Sequence, residues 1–351
     1  MLVTGGAGFI GCAVGRLLAE SGRSVVAIDN LHPQVHARRE RPAELHPSIE
    51  LVVGDVTAAT DWDALLTRVT PRAVIHLAAE TGTGQSLTEA TRHGMVNVVG
   101  TTAMTDALLR RDAVPERVLL TSSRAVYGEG RWQGSAGTFY PGVRSHEQLV
   151  AGHWDPTDPT GQPATPLPHR ASETEPRPAN IYAATKLAQE HILRSWCAAV
   201  GADLSVLRLQ NVYGPGQSLT NSYTGIVALF AQMARRDEQI ELYEDGEVIR
   251  DFVFIEDVAT ALMAALDAMP AMPGPYDIGQ GRQSTIAELA QILAARHGAP
   301  APRVSGKFRD GDVRAAWADT TDSADALGWS PQWPLEGGLA ALDDWIAART
   351  G

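Results

Sequence analysis

A chain of 351 residues with 44% hydrophobic, 20% charged and 6% aromatic residues is long enough for two domains or one large α/β domain, and its composition excludes disordered, collagen-like and coiled-coil classes. Lys and Arg number 29 against 41 Asp and Glu, a net charge of −12, so the overall field repels nucleic acid and anionic membranes, and any anionic ligand needs local cations. Cys12 and Cys197 are too few for a disulfide framework and lack metal-ligand spacing, no apolar run approaches the ~18 residues of a membrane span, and Met1 leads straight into Leu2-Val3-Thr4 without a basic or apolar leader. A cytoplasmic protein is expected, without metal, membrane or nucleic acid as partner.

In chain order the pattern begins with a short strand of two or three residues at Leu2-Val3, a glycine turn from Gly5 to Gly11, a helix through Val14 to Glu20 and a strand ending at Asp29. Short apolar runs follow at 50–53, 73–77, 117–120 and 204–208, separated by helical stretches at 64–69, 100–111 and 181–200. Such alternation predicts a doubly wound parallel sheet with helices on both faces, a Rossmann-type α/β fold. Eight of the 21 prolines fall between Pro141 and Pro178, which marks 129–178 as an irregular flap near the active site. Beyond Arg208, helices are expected at 225–236, 258–269 and 285–296 in a smaller mixed α/β lobe. The expected division is 1–207 for the dinucleotide-binding domain and 208–351 for the lobe, with part of 248–278 returning to the first domain.

Gly5, Gly8 and Gly11 stand three apart between a strand and a helix, where glycines allow a tight turn and close approach of the backbone to a pyrophosphate. The strand before, the helix after and Asp29 at the end of the second strand supply the context that separates a dinucleotide site from a structural turn. Asp29 can accept from a ribose diol and would repel a 2′-phosphate, favouring NAD over NADP, although a solvated strand-end carboxylate would look the same. Tyr182 and Lys186 are four apart, on one helix face, so the ammonium favours the phenolate; such a pair also occurs by chance on surface helices. Ser122 and Ser123 close the strand from Arg117, at the sheet end where parallel sheets hold ligands.

With these residues in place the sequence resembles an extended short-chain dehydrogenase/reductase of the nucleotide-sugar epimerase group, along nearly the whole chain. The further matching motifs are Asp55-Val56, His76-Leu77-Ala78-Ala79, Asn97-Val98-Val99-Gly100-Thr101, Ser122-Ser123-Arg124-Ala125-Val126-Tyr127-Gly128, Asn211-Val212-Tyr213-Gly214-Pro215-Gly216, Arg250-Asp251-Phe252-Val253 and Leu327-Gly328-Trp329. The resemblance implies NAD as cofactor, held by Gly5, Gly8, Phe9, Ile10, Gly11, Asp29, Asn30, Asp55, Val56, Leu77, Ala78, Ala79 and Asn97 together with Tyr182 and Lys186. It implies Ser123, Tyr182 and Lys186 as the catalytic set, and Asn211, Arg250, Arg309 and Asp312 on the diphosphate of a nucleotide sugar. It also implies a homodimer built on the helices 100–111 and 181–200. Dehydratases of this group carry an Asp-Glu pair after the catalytic hydroxyl; here Arg124 and Ala125 stand there, so the acid and base for water loss are missing. Decarboxylases generally have an acidic residue where Ala125 lies.

Within the group, the stretches 29–36, 78–86 and 215–225 resemble the bacterial dTDP-L-rhamnose 4-epimerases, which would put Gln85, Ser86, Asn221 and Tyr223 near the sugar. That subgroup often has a Cys-Pro-x-Cys knuckle where this chain has Asp158-Pro159-Thr160-Gly161. A structural metal is therefore not expected, and the flap loses that source of order. His32, His36 and His46 read as surface-loop residues, His76 as a packed one, and Trp317, Trp329, Trp333 and Trp345 as core of the C-terminal part. The rival reading is a module that binds NAD without turnover.

Overall fold

Seven parallel strands form the central sheet of the computed structural model, which describes residues 1–219, 225–269 and 271–350. Across the sheet they run Tyr276–Ile278, Asp203–Leu209, Arg117–Ser123, Ala73–His76, Leu2–Thr4, Val26–Asp29 and Glu50–Val53. Chain order reverses between Leu2–Thr4 and Ala73–His76, and that switch point opens the crevice in which ligands of such sheets bind. The first strand has three residues, all buried.

Helices Phe9–Glu20 and Ile255–Asp267 cover one face, through Val14, Leu18, Val258 and Leu262. Ala59–Leu66, Gly100–Arg110 and Ile181–Val200 cover the other, through Trp62, Met104, Leu108 and Leu193. The edge strand Tyr276–Ile278 and the helix Ile255–Asp267 thus join the sheet from beyond residue 208. A separate core gathers helices Ile226–Arg235, Ile286–His297 and Leu335–Thr350 around Phe230, Phe252, Leu289 and Leu342. Paired short strands connect it to the sheet, Asn211–Tyr213 beside Phe252–Phe254 and Ile249–Arg250 beside Ser284–Thr285. Trp317 and Trp329 are buried, while Trp333 is 37% exposed and lies against Phe254, ring centres 4.4 Å apart.

The flap departs from the sequence expectation. It contains a three-stranded sheet, Trp132–Gly134 between Gly137–Phe139 and Thr165–Pro166, and a short helix His146–Val150. A buried ion network ties it to the smaller lobe. The Arg144 guanidinium grips Glu244 at 2.8 and 2.9 Å and reaches Glu129 at 3.3 Å, and Arg314 pairs with Glu244 at 3.1 Å and with Asp245 at 2.7 Å. Where a metal knuckle was missed, Asp158 takes over as organiser. Its carboxylate accepts from Ser135 across the turn and from Thr160 and Gln162 within it, which holds its pKa well below the usual carboxylate range.

Candidate functional site

The turn between the first strand and helix works only with glycine. Gly5 has φ +65°, and a Cβ there would lie 2.8 Å from the Ala78 nitrogen; a Cβ on Gly11 would lie 2.5 Å from the Gly5 carbonyl oxygen. The helix starts on Gly8, which has no side chain to cap it, so its first-turn amides are left for an anion. The adjoining cleft is lined by Gly5, Gly8, Asp29, Asn30, Val56, Leu77, Ala78 and Ala79 from the expected cofactor set. A dinucleotide fits this donor set: a glycine cradle that any Cβ would fill, backbone donors at one end and a carboxylate at the other.

Asp29 is fixed by its neighbours, since its carboxylate accepts from the backbone N–H of Ala7 at 3.1 Å and of Leu31 at 2.9 Å. His32 and His36 correct the surface-loop reading. Both line the cleft, and His36 Nε2 lies 3.8 Å from Asp29. Asp55 spends its oxygens on Thr57 and Asn30; burial works to raise its pKa, and these hydrogen bonds hold it below the ordinary value. Asn97, read as a cleft residue, is fully buried and acts as a strut: its amide bonds both ways with the Glu80 backbone and donates to Thr185 Oγ1 at 2.9 Å. His76 is packed as expected, 2.7 Å from Thr4 Oγ1 and 2.9 Å from Thr101 Oγ1, and burial pushes it down to about 3, hence neutral.

Asn180 opens the next helix, its side chain accepting from the Ala183 N–H at 2.9 Å, and Gly201 closes it in the left-handed conformation. One turn in stand Tyr182 and Lys186. Ser122 and Ser123 separate here in a way the sequence does not reveal. Ser122 is spent on Glu190 at 2.5 Å, and Glu190 is itself clamped by Arg208 at 2.7 Å. Ser123 stays beside the Tyr182 hydroxyl, and its Oγ accepts from the Ala125 N–H at 3.1 Å. Burial raises the Tyr182 phenol above its usual value, and Ser123 and the Arg124 charge pull it back. Burial also brings the Lys186 ammonium down to about 8, partly offset by Glu190; its Nζ donates to Gln189 at 2.5 Å.

On the far side, Asn211 accepts from Arg124 Nε at 2.9 Å, and Arg250, buried, stands near Asp312 and Arg124. Arg309 lies outside this cluster, exposed, its guanidinium 5.2 Å from the Tyr243 ring centre. Gln85 and Ser86, expected near the sugar, are buried and hydrogen-bonded within the protein. Gln85 makes a reciprocal amide pair with Gln34 at 2.8 and 2.9 Å and donates to Glu89, and Ser86 donates to the Thr83 carbonyl. Asn221 and Tyr223 lie outside the described residues. Sequence reasoning missed Gln34 and Arg92, which bridge the 30–36 loop to the helix Thr83–Thr88 and to Glu80, and His93, whose ring stands edge-on to Tyr182 at 6.4 Å. Their partners are distant in sequence, so no local pattern marks them. Among the described residues no cluster of three His, Cys, Asp or Glu could hold a metal ion, and no helix is long and apolar enough to cross a membrane.

Comparison with known proteins agrees with this geometry. Residues 1–279 match the model of the NAD dependent epimerase/dehydratase family. A dTDP-L-rhamnose 4-epimerase of Burkholderia thailandensis is 58% identical over 348 residues, 99% of this chain and 94% of its own. A UDP-glucose 4-epimerase of Mycolicibacterium smegmatis is 32% identical over 97% of this chain and 96% of its own. Among solved structures, the Thermus thermophilus UDP-glucose 4-epimerase in complex with NAD superposes with a TM-score of 0.77, 26% identity and coverage of 99% and 98%.

Proposed function

Because the chain belongs to the NAD-dependent epimerase/dehydratase family, NAD is its cofactor, and we propose that it epimerises C4 of a dTDP-linked 6-deoxyhexose, dTDP-L-rhamnose. The observation that carries the substrate is the 58% identity along 99% of the chain to an enzyme of that activity. NAD, which the glycine turn and Asp29 would hold, would supply a hydride acceptor and donor at C4 of the sugar.

This chain's residues manage the proton and the charge. Tyr182 Oη, as phenolate, takes the proton of the 4-hydroxyl. Ser123 Oγ donates to that oxygen as it becomes a carbonyl, and Lys186, four residues on along the same helix face, puts its ammonium on the phenol's side of the helix. The 4-keto sugar then turns, and the same phenol gives its proton back once the opposite face of C4 has been reduced. Arg250, buried without a carboxylate within ion-pair distance among the described residues, has the charge and the planar donors to hold the diphosphate. The test is incubation with dTDP-L-rhamnose, following C4 configuration by NMR. Conversion to the C4 epimer is expected, with dTDP sugars turned over faster than UDP sugars; no interconversion of any nucleotide sugar would defeat the reading.

Two predictions arise here. Asp29→Asn removes the charged acceptor for the ribose diol, and loss of a hydrogen bond to a charged group costs about 1.5–3 kcal/mol, or ~10–100-fold in NAD affinity. Protein passed through a desalting column then comes off with less NAD than wild type, and equal retention would remove Asp29 from the cofactor site. The second concerns assembly. Met95, Val99 and Leu109 are 45%, 40% and 51% exposed along the π-helical turn Gly94–Val99 and the helix Gly100–Arg110, which lies against Ile181–Val200. A second copy of the chain would cover this apolar stripe. Light scattering at micromolar concentration is expected to give a dimer, and Leu109→Glu a monomer; a monomeric wild type would contradict the arrangement. With both cysteines free and buried, the reducing cytoplasm is the fitting compartment.

A further inference from the structure

Arginines in the interior of this acidic protein are paired. Arg117, Arg144, Arg208 and Arg314 each have a carboxylate within 4 Å. Arg124 and Arg250 are the exceptions among the buried and half-buried arginines of the described residues. Arg124 follows Ser123 directly, in the single 3₁₀ turn Arg124–Tyr127 at the carboxyl end of the strand Arg117–Ser123. One contact anchors it, Nε to Asn211 Oδ1 at 2.9 Å, and its two Nη atoms have no partner among the described residues. Its charge is therefore placed but not neutralised.

We infer that Arg124 is a fixed cation for the proton-transfer step, held by Asn211 in the turn next to Ser123 so that its field stabilises the Tyr182 phenolate. This rests on the epimerase reading of the site.

The surroundings of the phenol supply little other fixed positive charge. Tyr182 faces Lys186 on its own helix, the ring of His93 from the helix Ala90–His93, and Ser123 and Arg124 from the turn after the strand. The His93 ring nitrogens approach the Glu89 and Thr81 carbonyls at 3.0 and 3.3 Å, so they are engaged away from the phenol. Lys186 is buried, engaged with Gln189 and shifted down to about 8, so its charge fades at mildly alkaline pH. Burial and the neighbouring Arg250 bring Arg124 down only to about 9, with Asp312, Tyr182 and Glu129 acting in the opposite direction. A guanidinium keeps its proton in proteins, so Arg124 stays charged where Lys186 begins to lose its own. In a site of effective dielectric ~20, a unit charge a few ångströms away moves a phenol by about one pH unit or more. Arg124 is a positioning residue in this scheme: it acts on Tyr182 and need not touch the sugar.

The test compares wild type, Arg124→Gln, Arg124→Lys and Asn211→Ala as NAD-loaded protein, recording kcat against pH with dTDP-L-rhamnose. Ultraviolet titration of the Tyr182 phenolate, taken as the difference from Tyr182→Phe, gives the same information without turnover. Arg124→Gln is expected to move the acid limb and the phenolate titration upward by about one pH unit and to lower kcat at neutral pH about tenfold, with the rate recovering as pH rises. Arg124→Lys keeps the limb near that of wild type. Asn211→Ala, which releases the anchor and leaves the charge, moves it upward by less, and decides the matter if Arg124→Gln does not fold. A limb and a phenolate titration unmoved in Arg124→Gln, or in Asn211→Ala where that variant decides, overturn the proposal. An inactive wild type would instead defeat the epimerase reading, with the phenolate titration still deciding the role of Arg124.

Discussion

Tyr182→Phe should lower kcat for C4 epimerisation by about a thousandfold, within the ~10²–10⁴ that a positioned acid–base group contributes. The phenol lies both on the Lys186 face of its helix and beside Ser123. Removing a single oxygen leaves the ring and its contact with His93 in place, so the variant should fold and retain NAD, with KM changed only a few-fold. Ser123→Ala should cost less, because Ser123 steadies an oxygen that Tyr182 must protonate and deprotonate. The pH dependence has a definite sign. Turnover needs the phenolate, whose proton affinity is raised by burial, so the rate climbs with pH on the acid side. Single-turnover measurement of the keto intermediate distinguishes a chemical defect from a binding one, and a Tyr182→Phe enzyme with full turnover would remove the phenol from the mechanism.

Arg144→Met is expected to have the largest effect on stability, about 3–5 kcal/mol. The two carboxylates it serves, Glu129 and Glu244, are 7% and 3% exposed, and the substitution leaves them buried with less compensating charge. Glu129 already has its proton affinity raised by burial, with Arg144 the main influence opposing it. In the variant that affinity rises further. A carboxyl raised above its unfolded value favours the folded state most at low pH and loses that contribution as pH rises, so the deficit of Arg144→Met against wild type should shrink on acidification towards the carboxylate range. Chemical denaturation at several pH values measures this. The double variant Arg144→Met, Glu129→Gln should recover part of the loss, because Glu244 keeps Arg314 as a partner while Glu129 is the charge left stranded; equal stability of wild type and Arg144→Met would contradict the account of the flap.

What could be read from the sequence was what local chemistry dictates. The glycine turn is legible because no other residue can occupy Gly5 and Gly11, and Tyr182 and Lys186 because helical spacing alone puts them on one face. The helix at Ile255 starts three residues earlier than its apolar pattern suggests, since Glu256 and Asp257 read as loop yet are favoured by the helix dipole in a first turn. Pairings across long stretches of chain were not legible. Arg144 meets Glu244 one hundred residues away, and a proline-rich segment gives no local hint of that buried network. Likewise, Ser122 is distinguished from Ser123 only by Glu190, which a helix brings in from sixty-eight residues further on. Gln85 lies in a segment that resembles sugar-binding relatives, but its amide is claimed by Gln34 from the loop across the cleft.

The central claim is that hydrogen leaves C4 of the sugar and returns to the same molecule while Tyr182 carries only the hydroxyl proton. dTDP-L-rhamnose labelled with deuterium at C4, turned over in ordinary water and analysed by NMR and mass spectrometry, addresses it directly. The account predicts an epimer that keeps its deuterium at C4. An epimer carrying solvent hydrogen at that carbon would contradict it.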